Sequence, residues 1–511
     1  MTPKLRDIRP RRDVRCVTTL TAPARPVPER STRDALADRP VHTRRRTRRG
    51  NPPEGGEPGR VGRLLSRADG PARPPAERLL PPGGRRRPQS RVHGCRRGGA
   101  GRVRRRPPAV PRRPTARQGP CRIAGWPTTH GSAGSGQTPA EASDPVVRRF
   151  VDAGFVLLGK TTTSEFGSLP FTESDALGIS RNPWDPDRTP GGSSSGAGAA
   201  VAAGMAPIAH AEDGGGSIRI PASCNGLVGL KPTRGLVTNA VVEVEGLGTG
   251  GVLTRSVADT AAVLDVLARH DPAAWWSPPT PRASFAAAMQ TDLPTGLRIG
   301  VLTDSPIDGI RVHPACVEAV DVTLRTLESA GQHIVDTPLP LPPTDELVTA
   351  FTTLWNVGGA GITLADPDRV EPHNRALRKA ARAIDSWAYA EGLRKTQQLS
   401  RRIVEGFLAG FDLLVTPAMA CLPPLVGAWR TGIEDDPLRA LLNSYPMGVF
   451  TSVFNVTGQP AISLPVHHDE ATGLPVGIQI VAAPWREDLL LQVSRTLERA
   501  LPWAGRRPTV S

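Results

Sequence analysis

Beyond residue 121 the sequence predicts an α/β layered fold, and three observations predict it. Short apolar runs of strand length alternate with longer runs at helical spacing. Two serine-bearing glycine clusters, Gly191–Gly196 and Gly214–Arg219, bracket a small-residue, helix-like run, Ala197–Met205, and lead into the packed string IRIPASCNGLVGL. The 511 residues are also enough to bury a large core.

Composition separates the N-terminal third, delimited at residue 121, from that body. Residues 1–120 hold 32 Arg and one Lys against nine acidic residues, a net +24, so the chain's +16 leaves the remainder at −8. The segment is rich in Pro and Gly and holds no sustained periodicity, which predicts disorder. A basic arm for nucleic acid is one reading, but no aromatic residue precedes Trp126 to stack on a base. The other is translation out of frame: after Lys4 the next lysine is Lys160, and Arg, Pro, Gly and Ala dominate as they do when a GC-rich gene is frame-shifted. The six cysteines, at 16, 95, 121, 224, 316 and 421, show no CxxC pair or metal spacing. A reducing, cytoplasmic location is expected, with no signal peptide, membrane span or membrane partner.

In chain order, Asp144-Pro145 is a helix start, and Val146, Val147, Phe150 and Val151 follow at helical spacing. Phe155–Leu158 reads as a short buried strand ending before Lys160. Ile218–Ile220 and Leu227–Leu230 read as strands, Val257–Ala268 as a helix, Leu297–Leu302 as a strand and Ala315–Ser329 as an amphipathic helix. Thr344–Val357 and His373–Phe407 are helical, with Trp355, Trp387 and Tyr389 as core aromatics or pocket walls. Leu489–Leu501 closes the chain as a helix. By contrast, Pro111–Pro120 holds too many prolines and arginines for a buried strand.

The glycine clusters carry the chemistry. Glycine lets backbone approach a ligand closely, and successive N–H groups before a serine are what an oxyanion hole needs. Ser217 therefore reads as a nucleophile, with Gly214, Gly215 and Gly216 as oxyanion donors. A flexible linker would not alternate with helix and packed apolar sequence. Gly192–Gly196 fits G-x-S-x-G, but Asn182–Pro190 before it carries three prolines and no apolar strand, which excludes a nucleophile elbow. No Gly-Lys-Ser/Thr follows, which excludes a phosphate loop. Asp213 and Arg219 flank the nucleophile and are expected to pair and fix its loop.

These clusters, with Gly159–Phe166 and Ala124–Ser132, resemble the amidase signature family of serine hydrolases, over residues 122–505. The resemblance implies a mixed β-sheet sandwiched between α-helical layers. It also implies carboxamide hydrolysis through an acyl-enzyme on Ser217, and a bridging role for Ser193, reached through a cis peptide. A lysine from an earlier strand ending Lys-Asp is implied as the base, with no metal or cofactor. The strings Asp213–Cys224 and Phe454–Pro465 look most like the 6-aminohexanoate-cyclic-dimer hydrolase branch, pointing to a cyclic or linear amide as the small-molecule partner, with no nucleic-acid partner and a homodimer left open. The lysine's place holds Pro111–Pro120, which has none, and arginine cannot substitute because it stays protonated. Lys160 and Lys231 match scaffold positions. A catalytically dead remnant and an amidotransferase-type subunit are the alternatives to a working amidase.

Overall fold

The computed structural model describes residues 114–118 by their backbone, and residues 121–239, 246–508 and 510 with their side chains. The segment expected to be disordered or frame-shifted lies outside these, except at 114–118 and 121.

The first described element is strand β1 (Pro114–Gln118). Helix α1 (Pro145–Asp152) starts after Asp144 with proline in its first turn and buries Val146, Val147 and Phe150. Strand β2 (Val156–Thr161) follows, then a small hairpin of β3 (Glu173–Ser174) and β4 (Gly178–Ile179). Helix α2 (Ser195–Ala202), made of small residues, packs closely beneath β5 (Ile208–Asp213). Helix α3 (Arg219–Asn225) ends at Gly226, which adopts φ 69° and closes the helix through its N–H on the Ala222 carbonyl. Strands β6 (Val228–Lys231) and β7 (Thr249–Thr254) lead to α4 (Val257–Leu267), capped by Ser256 Oγ on the Asp259 N–H at 3.1 Å. After the short α5 (Phe285–Ala288) come β8 (Arg298–Val301), α6 (Pro314–Ser329) and β9 (His333–Ile334). A helical insertion follows: α7 (Thr344–Ala360), α8 (Pro372–Arg382) and α9 (Ser386–Gly410). The chain returns to the sheet with β10 (Leu413–Pro417), passes α10 (Arg439–Gly448) and α11 (Ser452–Thr457), and ends with β11 (Ala461–His468), β12 (Pro475–Ala482) and α12 (Glu487–Ala500).

Ten strands form one mixed sheet in the order β2-β1-β5-β7-β6-β11-β12-β10-β8-β9. Pairing is parallel at β2-β1-β5 and at β10-β8-β9, and antiparallel across the centre. The two-residue period of a strand explains why both faces are apolar. On β5, β7 and β12, Ile208, Val252, Ile478 and Ile480 join the core beneath α1, α4, α6 and α12. Their neighbours Ala209, Ala211 and Leu253 pack against α2 and α3. Val481 faces the insertion helices α7 and α9. This is the layered α/β fold that the alternation predicts.

Four expectations need correction. Pro111–Pro120 is not strand-free: β1 sits between β2 and β5, with proline only at its first residue, where a missing N–H costs least. Ile218–Ile220 is not a strand but the start of α3, whose Pro221 falls in the first turn, where N–H groups have no intrahelical acceptor. Phe155–Leu158 is not a buried strand: β2 is a sheet edge, with Val156 48% and Leu158 53% exposed. His373–Phe407 is two helices, broken where Asp385 Oδ1 caps the Ala388 N–H of α9 at 2.7 Å.

Candidate active site

The loop from β5 into α3 is built around one carboxylate. Asp213 Oδ1 accepts the Gly216 N–H at 2.8 Å, and Oδ2 accepts the Ile218 N–H at 3.1 Å. Arg219 closes on the same group, Nε on Oδ2 at 2.9 Å and Nη2 on Oδ1 at 2.8 Å, with both side chains fully buried. Its remaining donors go to Thr451 O at 2.8 Å, Gln479 Oε1 at 2.6 Å and Asn455 Oδ1 at 2.6 Å. The guanidinium is thereby satisfied, as burial of a charge demands. Burial would push the Asp213 carboxyl up, but Arg219, with Lys231 and Asn455, outweighs it and holds it at about 2. Thr451, Asn455 and Gln479 are positioning residues that sequence reading did not single out. They lie more than 230 positions from Arg219, so spacing gave no signal.

The Gly216 N–H is committed to Asp213 Oδ1, which fixes the backbone of the loop that carries Ser217. The carbonyl of Gly215 is itself held by Thr451 Oγ1 at 2.7 Å. Gly216 has φ 135°, and a Cβ there would lie 2.6 Å from Ile220 Cδ1. Gly216→Ala is therefore expected to displace the loop and abolish labelling of Ser217 by a serine-reactive probe, while the unfolding transition shows a folded protein.

Ser193 follows a cis peptide from Gly192 and is buried. Its carbonyl accepts Thr163 Oγ1 at 3.0 Å and the Ser164 N–H at 3.3 Å, which ties it to the segment leaving β2. Ser193 and Ser217 both line a cavity of about 670 Å³, together with Arg122, Asp144, Glu212 and Arg378. Ser217 also lines a second, apolar cavity of about 80 Å³, walled by Leu169, Ile220, Leu347, Phe351, Trp355 and Tyr445, with no charged side chain among its lining residues. The two cavities share Gly167, Ser168, Ser217 and Trp355. Of the three predicted aromatics, Trp355 forms pocket wall, stacked on Phe351 at 5.1 Å. Trp387 is 78% exposed, and Tyr389 packs on the core beneath α7 and α9.

No lysine among the described residues lines either cavity. Lys160 Nζ donates to Pro127 O at 2.8 Å and Thr128 Oγ1 at 3.0 Å, and burial lowers its pKa. Lys231 donates to Pro232 O at 3.0 Å, and burial holds it well below the usual lysine range, with Arg219 adding to the effect. Lys379 and Lys395 are exposed on α8 and α9. Strand β1 ends at Gln118, paired with Thr161, two residues before the Thr163 that grips Ser193.

The sheet, the two serine clusters and the carboxylate-centred loop define a class, the amidase-type hydrolases, and comparison with known proteins supports that class. Residues 120–491 match the Amidase family, and the chain belongs to it. It is 40% identical over 381 residues to the 6-aminohexanoate-cyclic-dimer hydrolase of Paenarthrobacter ureafaciens, covering 71% of this chain and 77% of that protein. A solved structure of a 6-aminohexanoate cyclic dimer hydrolase superposes with TM-score 0.73 at 36% identity, covering 78% of this chain and 86% of the other. A more distant one, TM-score 0.66 at 29% identity over 76% of this chain and 83% of the other, is described as a vestigial protein complex revealing the origins of an s-triazine catabolic enzyme. No helix of the described residues is long and apolar enough to cross a membrane.

Proposed function

We propose that this chain is an amidase body that binds a small carboxamide and presents Ser217 to it, but turns over poorly because its proton relay ends without a base. The observation that carries the reading is the pairing of an ordered nucleophile loop with glutamine, not lysine, at the end of β1. In the complete reaction Ser217 Oγ attacks the amide carbonyl, and the negative charge develops on oxygen beside the amides of Gly214, Gly215 and Ser217. Ser193 passes the serine proton on, the amine leaves with a proton, and water cleaves the acyl ester to a carboxylic acid. A hydroxyl relays a proton but does not hold one, so a neutral amine must stand behind Ser193. The uncharged cavity beside Ser217 suits an aliphatic or aromatic acyl chain, and the larger, polar cavity suits the amine part of the substrate. Cyclic or linear amides, such as the substrate in the name of the first relative, fit this division.

A fluorophosphonate probe and an amide assay on the full chain test the reading. Ser217 is expected to be labelled, Ser217→Ala to lose the label, and amide turnover to be slow. An unlabelled Ser217 in folded protein overturns the assembled loop, and rapid turnover without a lysine overturns the broken relay.

A further inference from the structure

We infer that Cys121, His210 and Glu212 form a binding site for a divalent transition metal of the zinc class. Their ligand atoms all lie within 4.8 Å of one another. Cys121 Sγ stands 3.5 Å from His210 Nδ1 and 3.2 Å from Glu212 Oε1. In a tetrahedral zinc site with ordinary Zn–S, Zn–N and Zn–O bonds, neighbouring ligand atoms sit about 3.5 Å apart. Two edges of that tetrahedron are therefore already at length, and the third closes by a turn of the partly exposed Glu212 side chain.

The fold explains the convergence. His210 and Glu212 are two apart on β5 and so share one face of the sheet, while Cys121 arrives from the loop after β1, the neighbouring strand. Sequence spacing hides this, since 89 positions separate Cys121 from His210. The donor set is chemically selective: a thiolate and an imidazole favour zinc-like ions over magnesium or calcium. The thiolate and carboxylate together neutralise a dication, which a buried site requires. Around the imidazole the shell is tight. The Phe150 ring meets it edge-on at 6.2 Å, and a Cβ on Gly250 would come within 3.2 Å of Nε2. Glu212 lines the larger cavity, which gives an ion its route in and leaves a fourth coordination position for water.

Cobalt(II) and zinc titrations of the full-length chain test the site. One equivalent of cobalt is expected to survive dialysis and to give a thiolate-to-metal charge-transfer band. C121S should abolish the band, and H210A should weaken zinc binding at least ~10-fold. E212Q, at the partly exposed position, should weaken it while leaving the unfolding transition of the metal-free protein in place, so that loss of binding is not mistaken for loss of fold. Absence of retained metal, or the same band and affinity in C121S, overturns the site and leaves a thiol–carboxylate hydrogen bond in its place.

Discussion

Gln118→Lys is expected to raise amide turnover by about 10²–10⁴-fold, the usual yield of a positioned general base. Gln118 is the last residue of β1 and pairs with Thr161. The chain then runs through Thr162, whose carbonyl accepts the Gly196 N–H, to Thr163, whose hydroxyl holds the Ser193 carbonyl. A lysine at 118 thus enters the sheet beside the segment that carries Ser193. Labelling of Ser217 should also speed up, because the serine becomes a better nucleophile. Turnover should rise with pH as the amine loses its proton, a dependence that Gln118→Met would not show. A Gln118→Lys protein that folds, is labelled at Ser217, and still hydrolyses amides no faster refutes the broken relay.

The genetic code supplies an independent check. A glutamine codon is CAA or CAG, and a glycine codon begins with G, so Gln118-Gly119 read one base later opens with AAG or AGG, lysine or arginine. The same shift turns Gly119-Pro120 into aspartate when the glycine codon is GGA, and Arg117-Gln118 into valine when the arginine codon is CGT. Arg-Gln-Gly-Pro can therefore conceal Val-Lys-Asp, the apolar-Lys-Asp ending that the family resemblance implies. Sequencing the coding DNA across these codons tests the broken relay: Lys-Asp in the shifted frame would assign it to the reading frame rather than to the protein. Arginine at 118 in that frame would make the chain a true lysine-less variant. Carried through the next codon, the shift replaces Cys121 by alanine or valine, so the metal site belongs only to the chain that has glutamine at 118.

Much of this site was legible because it is local. The second glycine cluster, Ser217 and the Asp213–Arg219 pair lie within a few residues of one another. What was not legible is long-range or depends on context. Ile218–Ile220 reads as a strand by apolar content, yet the loop's turn around Asp213 commits it to a helix. β1 has no apolar pattern at all, and it is a strand because β2 and β5 offer backbone pairing on both sides. The Gly216 N–H bonds to Asp213, a contact visible only once the carboxylate's partners are placed. Cys121, His210 and Glu212 meet only because β1 and β5 are sheet neighbours.

Asp213→Ala is expected to cost about 3–5 kcal/mol, because it leaves the Arg219 guanidinium buried and unpaired. Urea unfolding measures the loss. The same substitution removes the acceptor of the Gly216 and Ile218 amides, so Ser217 labelling should vanish even under conditions where the variant remains folded. Replacing the pair together, as Asp213→Leu with Arg219→Met, separates the two effects. Burying apolar groups of similar volume should recover much of the stability, whereas the loop, with no acceptor at its centre, should stay unlabelled. Acid provides a third handle. The Asp213 carboxyl titrates at about 2 in the fold against an ordinary 3.8. A depressed carboxylate stabilises the fold in full above its unfolded value, and that contribution of about 2 kcal/mol fades as pH falls from near 4 through about 2. Stability measured across that window should fall less steeply in Asp213→Ala than in the parent chain. An Asp213→Ala protein that keeps its label would show that the loop holds its shape without the carboxylate, and would move the origin of that shape to Thr451 and the glycine backbone.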